Sequence, residues 1–396
     1  MENQAQSVQK NAKKSQQFVD YFNQNIVPRA QELESTREKF VNIVKIWSII
    51  VAGITLVLAI AVIPPKITSV EALYAPLLVI AIGGIIGYTP VEFIRRVFSY
   101  NSKKKILPAL LSFWGKFSYI PPINFYVAIY SAIKNKTGVA GFIQEITKDK
   151  TSNISINHAI LKRLLDYNDV RYDDKIVGTF NDIKVELCEL ETAIVRRDSK
   201  KGTSRQTTFK GVIFSAVMNK KFKGMTAISN THLDTNMLDH PRIGFDNFNA
   251  TDILNIGKQL IQTAYDKKQL IQKNNELEKE EQEIKELPRS QGVRLEDPVF
   301  RQHFKVYSTD QIEARYILTT AFMNRILKLG EAYKWKIKAI FINNNIYILI
   351  DVRKNWFEMP FFKSSIDINN YKEFLNDFTK LLAITEILKL NQNIGM

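Results

Sequence analysis

Cysteine is nearly missing from this sequence, where Cys188 stands alone. A large domain in an oxidising compartment more often carries paired cysteines, so the lone thiol leans toward a reducing one. Neither standard phosphate-cradling glycine loop occurs, nor a serine-centred nucleophile elbow, which leaves nucleotide hydrolysis and acyl transfer without sequence support. Nucleic-acid motifs are missing too, although the net charge is +15 (55 Lys and Arg against 40 Asp and Glu). The most informative absence is local. No charge falls in IWSIIVAGITLVLAIAVIPP, between Lys45 and Lys66, or in ALYAPLLVIAIGGIIGYTPV, between Glu71 and Glu92.

Each of these runs reaches the ~20 apolar residues that a spanning helix needs. The reading is two transmembrane helices, 46–63 and 72–91. A cleavable signal peptide would have a shorter apolar core close to the start, whereas about 45 residues precede the first run here. Only Lys66 to Glu71 and the Pro64-Pro65 pair lie between the runs, so the chain turns straight back as a hairpin, with both ends on one side. Arg37, Lys39 and Lys45 precede the first helix, and Arg95, Arg96, Lys103, Lys104 and Lys105 follow the second. Such flanks mark the cytoplasmic side.

Much of the basic excess lies just beyond the hairpin, with ten Lys or Arg against three Asp or Glu in 92–150. That favours anionic headgroups over nucleic acid as its counterpart, at about 1 kcal/mol per basic residue near the surface. The order of segments is then a polar N-terminal helix (1–45, with Pro28 interrupting its apolar stripe), the hairpin (46–91), a basic membrane-proximal region (92–150) and a soluble domain (151–396). KKKILPALLSFWGKF (103–117) reads as an amphipathic interfacial helix. Pro121-Pro122 and Lys116 leave 117–133 too broken for a third span, so it is expected at the interface or in a core.

In the soluble domain, 182–197 and 207–222 alternate and form a hairpin, 224–229 adds a strand, and Asp173-Asp174 sits in a turn or lead-in. A long helix over 249–287 has a polar second half on its seam, which argues against a coiled coil. Val293 to Tyr307 reads as extended. Ser308 or Thr309 then caps a helix from Asp310 to about Gly330. KIKAIFI and IYILIDV flank an Asn343-Asn344-Asn345 turn, and YKEFLNDFTKLLAITEILKL is a closing helix. The fold class is α+β: a two-helix transmembrane hairpin, then a cytoplasmic mixed domain with antiparallel β-hairpins and packed helices.

Candidate chemistry is sparse. His232, Asp234, Asp239 and His240 offer two imidazoles and two carboxylates within nine residues, ligands that zinc or iron use, but at the spacing of no known motif. Glu296-Asp297 with His303 resembles an acid-base set, yet neighbouring side chains on an extended segment point oppositely. Cys188 reads as a buried neutral thiol. Arg196, Arg197, Lys200, Lys201 and Arg205 gather at a hairpin tip, which reads first as a solvated turn and second as a contact for anionic lipid or an acidic partner. Gly53, Gly83, Gly84 and Gly87 would allow close helix contact, within the hairpin or between copies.

Four stretches in order, LLDYNDVRYDDKIVGTFNDIKVELCELE, FKGVIFSAVMNKKFKGMTAISN, VRLEDPVFRQHFKVYSTDQIEARYILTTAFMNRI and NNNIYILIDVRKNWFEMPFF, resemble the bacterial membrane-protein family known as domain of unknown function 3137. They thread residues 164–362. The resemblance implies a transmembrane hairpin ahead of the soluble part and supplies no activity or catalytic residues. The chain is longer than the family pattern around 121–150 and before Val293.

The expectation is thus a hairpin-anchored, multi-pass protein of the bacterial inner membrane with both termini cytoplasmic. It binds a protein partner or anionic headgroups, uses no cofactor and no nucleic acid, and leans away from enzymes, with self-association left open. The alternative is a membrane-bound metal-dependent hydrolase built on His232 to His240.

Overall fold

The two charge-free runs become the middles of two long helices, α1 (Val27–Ala61) and α2 (Tyr74–Leu111). The computed structural model describes residues 16–63, 74–122, 125–138, 141, 158–198, 202–218, 222–231, 233, 287–358 and 361–390. They form two units. One takes the described residues within Met1–Phe113, Asn124–Tyr130 and Glu358–Glu373, the other those within Trp114–Ile123, Ser131–Phe357 and Phe374–Met396. The long helix expected over 249–287 lies outside the described residues, apart from Leu287.

In the first unit α1 and α2 run antiparallel, in a register marked by Gly83 against Thr55, Gly87 against Val51 and Lys105 against Glu32. Pro28 does not interrupt α1. It occupies the first turn, where the missing N–H costs nothing. Nor is 103–117 a separate interfacial helix: Lys103–Lys105 continue α2 without a break, the helix stops at Leu111, and Ile106, Leu107, Leu110 and Leu111 are buried. The segment after β9 returns to this helix pair. Phe361 packs edge-on to Phe98 at 5.4 Å, the Ser365 N–H donates to the Glu34 carboxylate at 2.8 Å, and Arg37 donates to the Phe361 carbonyl at 3.4 Å.

The second unit is built on a nine-stranded antiparallel sheet. Its strands are β1 (Lys116–Ile120), β2 (Asp169–Phe180), β3 (Ile183–Asp198), β4 (Gly202–Val217), β5 (Thr226–Ser229), β6 (Gln291–Val293), β7 (Lys305–Ser308), β8 (Ile337–Ile342) and β9 (Asn345–Asp351), in the order β1-β2-β3-β4-β9-β8-β5-β7-β6. Phe117 to Ile120 is thus the edge strand β1. The helix that follows, α3 (Phe125–Lys134), has 10 residues, about 15 Å at helical rise and too short to span. Asp173 and Asp174 lie inside β2, at a bulge against β3, not in a turn. The turn falls instead at Asn181-Asp182, both with positive φ (49° and 64°). Asn343-Asn344 (48° and 65°) joins β8 to β9 in the same way, with Asn345 already in the strand. Short polar side chains tolerate that backbone, and its twist matches that of the strands.

One sheet face is covered by α4 (His158–Leu164). Ile160, Leu161 and Leu164 bury against Phe209, Ile213, Ile340 and Leu349, each contributing about 1.5–3 kcal/mol by leaving water. Three short helices, α5 (Pro298–His303), α6 (Gln311–Ile317) and α7 (Thr320–Ala332), stand where one extended lead-in and one helix were expected. Asp297 caps α5 through Phe300 N–H, and Asp310, rather than Ser308 or Thr309, caps α6 through Ile312 and Glu313 N–H at 2.8 and 3.0 Å. Leu318 leaves helical geometry (ψ 57°) and Thr319 caps α7 afresh, so the single periodic run breaks in two. The last helix among the described residues is α8 (Lys372–Ile387), whose Phe378 packs edge-on to Trp114 and Phe117 at 5.3 and 5.4 Å.

Candidate functional site

The least ordinary surface of the protein is the outward side of the helix pair. Twenty of the 26 exposed large hydrophobic residues among those described lie between Ile43 and Tyr88, with Ile49, Val57 and Ile85 each about two-thirds or more exposed. A core helix of a soluble protein is mostly buried. In the most apolar windows of α1 and α2 only 11% and 6% of residues are buried. Polar residues gather at one end, where Glu92 accepts from Arg95 at 2.8 Å and Arg96 at 2.5 Å, Lys103 faces Glu358 at 3.8 Å and Glu32 pairs with Lys105. Trp47 and Tyr88 sit near this boundary, the level at which amphipathic rings favour a membrane–water interface. Gly83 and Gly87 permit the close approach of the two helices, and Gly53 and Gly84 face open space.

A second concentration of chemistry was not legible as a site in the sequence. One carboxylate oxygen each from Asp173, Asp174 and Glu189 lie within 4.8 Å of one another on β2 and β3, and Asp174 and Glu189 are buried. Tyr119 on β1 donates to Asp174, while the Trp356 N–H reaches both oxygens of Glu189 at 3.2 and 3.3 Å. Hard oxygen ligands at this spacing are of the kind that hold Mg²⁺ or Ca²⁺. The one available signal was parity. Glu189 shares the side of β3 that buries Val185 and Leu187, and a charged residue there breaks the pattern.

The candidates singled out by sequence are scattered. His232, Asp234, Asp239 and His240 lie outside the described residues, as do Lys200 and Lys201. The Glu296-Asp297 and His303 set does not assemble: Asp297 is the α5 cap, Glu296 points into solvent 4.0 Å from Arg315, and His303 stacks flat on Trp335 at 3.7 Å. Glu313 has a structural task, accepting from Lys223 and Gly224 N–H at 2.8 and 2.9 Å and so fixing the approach to β5. Cys188 is buried in β3, where burial pushes its thiol pKa up and keeps it protonated.

Arg196 is exposed, but Arg205 is committed to the sheet. It pairs with Glu191 and donates to Asp169 at 3.0 Å, with Lys210 3.7 Å from Glu191. Burial alone would raise the Glu191 pKa, but the hydrogen bond and charge of Arg205 outweigh it and hold the carboxyl below its ordinary value. Its folded pKa is therefore depressed. The stability it contributes is full above the unfolded value near 4.5 and disappears as the pH falls through the folded value. Acid titration of unfolding should show Glu191→Gln losing about 1–2 kcal/mol at neutral pH and less below pH 4. An equal loss at every pH would refute the charged pairing.

The architecture places the protein among mixed α+β proteins with two long apolar helices ahead of an antiparallel sheet. Residues 207–390, from within β4 to just past α8, match the family described as protein of unknown function (DUF3137). The match starts later than the resemblance read from the four stretches, leaving out 164–206, and continues beyond 362. No curated protein and no solved structure matches the chain.

Proposed function

We propose that the α1–α2 hairpin anchors this protein in a membrane and that its sheet unit serves on the cytoplasmic side as a binding module for a protein partner. The outward apolar surface of the hairpin carries the reading. In water, twenty such side chains would forgo on the order of 30 kcal/mol of burial, and monomeric soluble proteins rarely expose so large an apolar patch. From Ile43 to Ala61 the helix rises about 27 Å, close to the ~30 Å thickness of a hydrocarbon core. Arg37, Lys39, Lys45, Arg95, Arg96 and Lys103–Lys105 at one end of the hairpin favour the cytoplasmic side for that end.

Fractionation tests this directly. The full chain should stay in the membrane pellet after alkaline carbonate and after urea, and leave it only in detergent. Release by carbonate would sink the anchor. In the Cys188→Ala background, a cysteine at Glu38 should react with an impermeant maleimide only after the cells are opened. Labelling of intact cells would reverse the orientation.

A further inference from the structure

A cavity of about 390 Å³ opens on the sheet unit where the cover of α4 ends, between β4, β5, β8 and β9. It is independent of the hairpin and of the carboxylate cluster. Its floor is apolar (Leu165, Phe209, Leu349), and its walls carry Lys336, Lys338 and Arg353 against one carboxylate, Asp351, with Thr208, Asn230 and Thr231. Such a volume, an apolar floor and a few converging polar groups are the usual make-up of a small-molecule site.

Three details show that the cavity is shaped by the fold. Thr208 is the extra residue of a β-bulge, since Thr192 pairs with Phe209 and Ala193 with Thr207; bulges re-aim side chains beside sites. Gly211, the strand partner of Asp351, contributes no side chain beside that carboxylate. Lys338 is held inward, its ammonium donating to the Leu164 carbonyl at the C-terminal end of α4 at 2.9 Å. Burial pushes its pKa down and Asp351 opposes that shift, so an added anion would favour the charged ammonium.

The charges define the ligand. Three cations against one carboxylate leave a local charge of about +2, the complement of a phosphate monoester, which carries about −1.5 to −2 at pH 7. Asp351 repels a bare anion, yet its buried Oδ1 accepts no hydrogen bond within the protein, and Arg353 Nε is 3.9 Å away. An orphaned acceptor calls for a donor on the ligand. We infer that this cavity binds a small phosphorylated polyol, its phosphate against Lys336, Lys338 and Arg353 and a hydroxyl donating to Asp351. A polyol beside a phosphate occurs in soluble phosphate monoesters and, as a diester with a single negative charge, in glycerol-phosphate headgroups.

Titration calorimetry of the full chain in detergent, with sn-glycerol 3-phosphate as probe, tests it. One saturable site is expected, binding inorganic phosphate at least about fivefold more weakly. Lys338→Met should weaken binding tenfold or more; if that variant does not fold, the exposed Arg353→Gln should weaken it severalfold and flatten the salt dependence. Asp351→Ala should erase the preference over inorganic phosphate. Competition separates the sources. Displacement of the probe by phosphatidylglycerol nanodiscs, and not by phosphatidylcholine ones, assigns the lipid headgroup, and no displacement assigns a soluble ester. No saturable binding at millimolar probe, binding indifferent to Lys338 and Arg353, or a preference that survives Asp351→Ala would each overturn the assignment.

Discussion

Gly211→Ala should destabilise the sheet unit by about 3 kcal/mol or more, lowering its melting temperature by roughly 10 °C. An added Cβ at Gly211 would lie 1.9 Å from the Ile350 carbonyl oxygen and 3.3 Å from the Asp351 Cα. Both are backbone atoms of β9, so no rotamer change relieves the clash. β4 and β9 pair from Gly211↔Asp351 to Val217↔Asn345, and seven residue pairs must shift for a single methyl group. Glycine inside a strand marks such close approaches. Gly292, on the edge strand β6, is the control. No atom comes within 4 Å of a Cβ built there, so Gly292→Ala should be neutral to slightly stabilising. Thermal unfolding followed by circular dichroism compares the two, and equal effects would contradict this packing of β4 against β9.

Gly83→Val should separate the helices of the hairpin, at a cost of about 1–3 kcal/mol. A Cβ at Gly83 would meet Thr55 Oγ1 at 2.1 Å, its Cγ2 at 2.5 Å and its Cβ at 2.9 Å. The last contact decides the outcome, because Thr55 can rotate its hydroxyl and methyl but cannot move its Cβ without moving α1. Adjacent Gly84 meets nothing within 4 Å, and Gly84→Val should leave hairpin stability close to wild type. Crosslinking between cysteines placed at Ser48 and Val91, in the Cys188→Ala background, would report the separation. Reduced crosslinking in Gly83→Val alone is the expected result. Loss in Gly84→Val instead would mean that the contact surface of α2 is rotated by one residue.

The apolar helices were legible because their signal is local. About twenty apolar residues without charge are the length and composition of a spanning helix, and both are read within one short stretch of chain. The β3–β4 and β8–β9 hairpins were legible for a similar reason, since alternation and Asn343-Asn344 specify strands and their turn within a short window. Asp173-Asp174 was read as a turn or lead-in because paired aspartates imitate loop composition. Tertiary context overrode that signal: β2 lies between β1 and β3, and Tyr119 donates to Asp174. The break at Leu318 was hidden because the apolar period continues across it.

By itself, then, the sequence determined two helices of membrane-spanning length, the mixed α+β character of the domain after them, its main hairpins and the buried state of Cys188. Tertiary structure alone decided that Asp173, Asp174 and Glu189 meet, that 361–373 packs with α1 and α2, and that Lys336, Lys338, Asp351 and Arg353 line one cavity with Thr208. Length and periodicity act between neighbours along the chain, where composition records them. Strand register and the return of a distant segment act through space, and shifting one strand by a single residue would move its side chains to the opposite face.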